Sequence, residues 1–90
     1  MPETESTIWA EAQAERERAH AKHGDKSMEG WPVESYARLS ILLEEVGEVA
    51  REFNDAELQG APIDLAALRS ELIQVTAMAG AWADRIEAQR

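Results

Sequence analysis

The residues best suited to chemistry fall in two short runs. Glu44, Glu45 and Glu48 form the first, and Glu71 with Gln74 the second, after twenty-two intervening residues. On a helix, side chains three apart lie about 60° from one another and are neighbours. If both runs are helical, Glu45 and Glu48 share one edge and Glu71 and Gln74 share another. Glu52 continues the first edge by one turn. Each edge borders an apolar row, so packing the two rows together brings Glu45, Glu48, Glu71 and Gln74 towards one place. Carboxylates do not gather at a helix interface uncompensated, because desolvation and mutual repulsion both oppose it. A hard divalent cation removes both costs. An oxygen-only donor set selects Mg²⁺, Mn²⁺ or Ca²⁺ over zinc. Such a cation keeps several waters and accepts phosphate oxygens.

The elements that must position these residues are helices. Glycine and proline fall between the periodic segments, apart from Gly47, and no β-branched alternation is long enough for a strand. A first helix is expected from about Ser6 to about Lys22, with a thin apolar face of Ile8, Trp9, Ala12 and Ala19. The segment from His23 to Gly30 reads as a loop. A second helix is expected to begin near Pro32, a favoured first helical position. It runs through Phe53 towards Leu58 and stops at Gly60. Leu39, Leu42, Val46, Val49 and Phe53 give it a core-facing stripe. Gly47 inside this helix costs roughly 1 kcal/mol relative to alanine. A close helix approach or a ligand beside the backbone would account for it, as would chance. A third helix starts after Asp64, a good N-cap. Leu65, Leu68, Leu72, Val75, Ala79, Trp82 and Ile86 give it a 3-4 seam.

The expected fold is therefore all-α: one domain over residues 1–90, an antiparallel hairpin of the second and third helices plus an N-terminal helix. One hairpin leaves apolar surface uncovered. Two hairpins from two chains make a four-helix bundle, so a homodimer or homotetramer is expected.

The two acidic runs resemble the motifs of the MazG-type nucleoside triphosphate pyrophosphohydrolases. That family carries EExxE on one helix and ExxD on the next, a few tens of residues later. This chain has Glu44-Glu45-x-x-Glu48 and then Glu71-x-x-Gln74. The likeness covers the second and third helices, about half of the chain, and extends loosely into the first helix and loop. The resemblance implies a MazG-like helical domain that hydrolyses a nucleoside triphosphate to the monophosphate and pyrophosphate with Mg²⁺, or Mn²⁺ in its place. It implies that Glu45, Glu48 and Glu71 ligate the metal, with Gln74 beside them. Glu44 would support them or orient the attacking water. It also suggests a house-cleaning role. The departure is Gln74, where the family has aspartate. A neutral amide removes one negative charge, although its carbonyl can still ligate. Glu52 is a candidate for the missing carboxylate. The alternative is a weak or inactive acidic helical oligomer that binds a nucleotide or a protein partner.

The segment Lys22-His23-Gly24-Asp25-Lys26 concentrates basic groups in an acidic chain. One reading is a polar helix C-terminus, where Lys and His suit the dipole. The other is substrate binding, with Lys22 or Lys26 on phosphate and His23 or Trp31 stacked on a base. Arg38 and Arg51 read as surface or ion-pair residues, and Trp9 and Trp82 as core or interface anchors. Arg85 lies ~16 Å along its helix from Gln74, too far for the same site within one chain.

Composition narrows the classes further. Eighteen acidic residues against nine basic ones leave a net charge of −9, which disfavours duplex nucleic acid. With no cysteine, disulfides and thiolate zinc sites are excluded. No histidine follows a glutamate by three in the second or third helix, as a di-iron site would want, and the phosphate-cradling glycine loop is absent. No apolar run reaches the ~20 residues of a membrane span, and the acidic N-terminus has no signal-peptide core. A cytoplasmic protein without a membrane partner is the expectation.

Overall fold

The apolar periodicity that predicts three helices is realised as three helices. The computed structural model describes the backbone of residues 2–23 and 32–89, and the side chains of residues 7–19 and 32–89. α1 spans Pro2–His23, α2 spans Tyr36–Gln59 and α3 spans Leu65–Ala88, with no strand among the described residues. The fold is all-α. α3 is the central element, and both α1 and α2 pack against it.

Local chemistry fixes the helix ends. α2 does not begin at Pro32, because Ser35 takes the N-cap: its side chain accepts from the Ala37 N–H at 3.0 Å. Pro32 instead opens a turn, and its carbonyl accepts the Ser35 N–H at 3.1 Å. α2 stops at Gly60, which adopts the left-handed conformation with φ 61°. The Ala61 N–H then reaches back to the Ala56 carbonyl at 3.0 Å. This six-to-one closure satisfies a carbonyl that the helix end would leave open, and glycine reaches it without a Cβ penalty. Four residues later Asp64 caps α3, its carboxylate accepting from the Ala67 N–H at 3.1 Å. The short turn makes α2 and α3 antiparallel neighbours, each about 36 Å long. α1 begins earlier than Ser6, at Pro2.

Two ion pairs tie α1 to α3: Arg69 with Glu11, and Arg16 with Asp84, the latter at 2.7 Å. The α3 partners are fifteen residues apart, about 22 Å along a helix, whereas the α1 partners are only five apart. α1 therefore lies across α3.

The two expected apolar stripes divide. On α2, Leu42 and Val49 are half-buried, but Leu39, Val46 and Phe53 are exposed. With Leu43 and Ala50, these last three form a second row at 4-3-4-3 spacing that faces away from the rest of the chain. On α3, Leu68, Val75 and Trp82 are half-buried, whereas Leu65, Leu72, Ala79 and Ile86 stand exposed at seven-residue intervals. Among the described residues, the deeply buried apolar ones are all small: Ala12, Ala77 and Ala81. A three-helix chain has too little inner surface to cover both faces of its helices, and the periodicity alone does not say which row turns inward.

Of the two roles read for Arg38 and the two read for Trp9, one each is overturned. Arg38 is not a surface residue but is completely buried, with its Nε donating to the Pro32 carbonyl at 3.0 Å. Trp9 is not a core anchor and is 63% exposed. Trp82 does anchor: its indole N–H donates to the Val33 carbonyl at 2.8 Å. Arg51 is the ion-pair residue expected, 3.2 Å from Glu48 one helical turn away. No close approach explains Gly47, because a Cβ built there would meet nothing within 4 Å.

Candidate functional site

The α2 surface that turns towards the other helices carries Arg38, Leu42, Glu45, Val49, Glu52 and Ala56, all buried or half-buried. Glu45 and Glu52 thus occupy positions where the 3-4 repeat would ordinarily place apolar side chains. Glu48 sits beside this row and is also half-buried. Glu44 is exposed on its outer side. On α3, Glu71 and Gln74 are half-buried, on the same stretch as Leu68 and Val75.

Electrostatics shows which of these groups are neighbours. The Glu45 carboxyl is held above its ordinary range, first by burial, then by the negative charge of Glu71, and then by those of Glu48, Glu44 and Glu15. Charges must lie close, in a poorly screened setting, to shift one another. Helix pairing thus sets the α3 carboxylate against the α2 carboxylates, across the hairpin. The Glu48 carboxylate is partly neutralised by Arg51.

Glu15 was not among the residues singled out from sequence. It stands on α1 in a chain segment rich in alternating charge, and nothing in its spacing marks it out. α1 lies across α3, and this brings a third helix to the acidic patch. Glu15 is itself paired with Arg18 on the same helix.

As placed, no three His, Cys, Asp or Glu side chains among the described residues are disposed to hold a single metal ion. Four like charges within reach of Glu45 favour side chains that spread apart, and glutamate has the rotatable bonds to do so. The donor chemistry nevertheless suits a hard cation, being carboxylates plus one amide with no imidazole or thiolate.

The basic segment fares differently. Lys22 and His23 lie in the last turn of α1, with their side chains outside the described ones. Lys26 and Trp31 lie outside the described residues. A separate groove of about 340 Å³ opens between α1 and α3, with Glu15, Arg18 and Arg69 on its walls.

No family model, curated protein or solved structure matches this chain. Among the described residues, no helix is long and apolar enough to cross a membrane.

Proposed function

We propose that this chain is a divalent-cation-dependent nucleoside triphosphate pyrophosphohydrolase of the MazG type. The observation that carries this reading is Glu45. It is half-buried on the inner row of α2 and destabilised as an anion by Glu71 across the hairpin and by Glu48 and Glu44 on its own helix. An acidic cluster that raises a member's proton affinity is poised to take a cation instead of a proton. Glu45, Glu48 and Glu71 would hold Mg²⁺, with the Gln74 carbonyl as a neutral fourth donor and Mn²⁺ as an equivalent ion. When bound, the ion would screen the triphosphate charge and hold its oxygens at the protein.

The side chains have separate tasks in this reading. Glu45 and Glu48, midway along α2, and Glu71 on α3 supply the negative charge. Glu44, exposed beside the inner row, would accept a proton from the attacking water. Hydrolysis adds that water to the α-phosphorus and breaks the bond to the bridging oxygen, giving a nucleoside monophosphate and pyrophosphate. Lys22, His23, Lys26 and Trp31 belong to this reading as phosphate and base contacts.

The two exposed apolar rows support association of like chains. Leu39, Leu43, Val46 and Phe53 on α2, and Leu65, Leu72 and Ile86 on α3, are all exposed. A second hairpin packed on these rows would complete a four-helix bundle in a homodimer or homotetramer.

Mg²⁺-dependent melting followed by an assay for pyrophosphate release tests the reading. At a concentration one hundred times its Kd, the ion should stabilise the fold by about 2.7 kcal/mol. Glu48→Gln should abolish turnover and leave helix content intact. A second reading, a catalytically silent acidic oligomer that binds a nucleotide or protein, is favoured by Gln74 in place of a carboxylate. It predicts no pyrophosphate release from any nucleoside triphosphate.

A further inference from the structure

The groove between α1 and α3 carries two guanidinium groups, Arg18 on α1 and Arg69 on α3. Each is matched to a carboxylate in the same fork-on-fork manner. Arg69 donates from both terminal nitrogens to the two oxygens of Glu11, one bond at 3.0 Å and the other shorter. Arg18 donates from Nε at 3.2 Å and from a terminal nitrogen to the two oxygens of Glu15. Both carboxylates also line the groove, whose other walls include Ser70 and Ile73. Two planar forks are thus presented to one cavity of about 340 Å³, a size suited to a small ligand.

A guanidinium takes two oxygens of a phosphate with the geometry it uses for a carboxylate, and with a larger charge to bind. The internal pairs are weak competitors, because all four side chains are at least partly exposed to water and exposed pairs contribute little. The groove is also contiguous with the acidic patch, since Glu15 both lines it and acts on Glu45. Ser70 immediately precedes Glu71 in the chain.

We propose that this groove is an anion seat for a polyphosphate chain, in which Arg69 and Arg18 exchange Glu11 and Glu15 for phosphate oxygens. The identification of that chain as the outer phosphates of a nucleoside triphosphate rests on the function proposed above; the exchange itself does not. Glu11 and Glu15 act as internal placeholders that keep the arginines oriented and set a threshold of charge that a ligand must exceed.

Two substitutions that break the same ion pair separate this role from a structural one. Inorganic tripolyphosphate is titrated calorimetrically into the full chain, once with Mg²⁺ and once with a chelator. Arg69→Gln should weaken binding by about tenfold in at least one condition. Glu11→Gln removes the competitor and should tighten it several-fold. A pair that merely holds α1 in place would make both variants respond alike. Equal shifts of the same sign, or no binding of tripolyphosphate by the unaltered chain in either condition, would overturn the proposal. Opposite shifts in a protein that releases no pyrophosphate would leave the anion seat standing and end the hydrolase reading. Normal hydrolysis with no change in either variant's binding would do the reverse.

Discussion

Trp82, on the last third of α3, donates its indole N–H to the carbonyl of Val33 at 2.8 Å and so ties the chain ahead of α2 to the far end of the hairpin. Arg38 secures the same segment from α2, through the carbonyl of Pro32. The hairpin is thus fastened at both ends: by the Gly60 turn at one and by this clamp at the other.

Trp82→Phe keeps the ring and removes the donor. The loss should be about 1 kcal/mol, the usual net contribution of one such hydrogen bond. For a domain of this length that is a fall of roughly 4–8 °C in Tm. Trp82→Ala also removes the packed ring and should cost clearly more. Thermal melts of the two variants check both the sign and the order.

Gly47→Ala should stabilise. The position is exposed in the middle of α2, and an added Cβ meets no atom within 4 Å. The helix-propensity gain is roughly 1 kcal/mol. A melt that shows the variant less stable would mean that something else packs at this position in solution, since the chain itself offers no obstacle.

The helices, the turn from Gly60 to Asp64 and the two acidic edges were legible because they depend on local chemistry, whereas the starts of α1 and α2 were not. Asp64 and Gly60 announce a cap and a stop by residue type alone. Glu45, Glu48 and Glu71 follow from helical spacing beside apolar rows. What spacing cannot supply is which of two apolar rows turns inward, and α2 has two of them. Leu39, Val46 and Phe53 have the same periodic credentials as Leu42 and Val49. The burial of Arg38 was not legible for a related reason: its Nε meets the Pro32 carbonyl in the turn ahead of α2, which the expected start at Pro32 would not have formed. Glu15 was invisible because it joins the patch through the crossing of α1 over α3, a tertiary fact with no periodic signature.

The uncovered rows make a prediction about association. Phe53→Glu places a charge on the outer row of α2, where nothing within the chain is disturbed, because Phe53 is exposed. If two hairpins meet over this row, the variant should dissociate to a smaller species with unchanged helix content. Light scattering coupled to gel filtration reads the mass, and circular dichroism reads the helices. Identical masses for the two proteins would remove this row from any interface.

The raised Glu45 carboxyl fixes a pH dependence with a definite sign. A carboxyl whose folded pKa exceeds its unfolded value binds its proton more tightly in the native state, so stability falls as pH rises through the window between the two values. For Glu45 that window opens at its ordinary value of 4.5 and extends upward. Glu11 behaves oppositely: its hydrogen bond to Arg69 lowers its pKa, so its contribution is lost only as pH falls below the ordinary range. The two effects therefore occupy different sides of 4.5, and the Tm of the metal-free protein should decline above that value. Glu45→Gln should flatten this decline and raise the metal-free Tm at neutral pH, because it removes a half-buried charge from among four carboxylates. Mg²⁺ should raise the Tm of the unaltered protein more at neutral pH than near pH 4.5, where protons compete more strongly for the raised Glu45 carboxyl. In Glu45→Gln the Mg²⁺ response should shrink at every pH. Melting curves across this range, with and without the ion, test the acidic patch without any assay of catalysis, and a response to Mg²⁺ that is the same at both ends of the range and in both proteins would place the ion elsewhere.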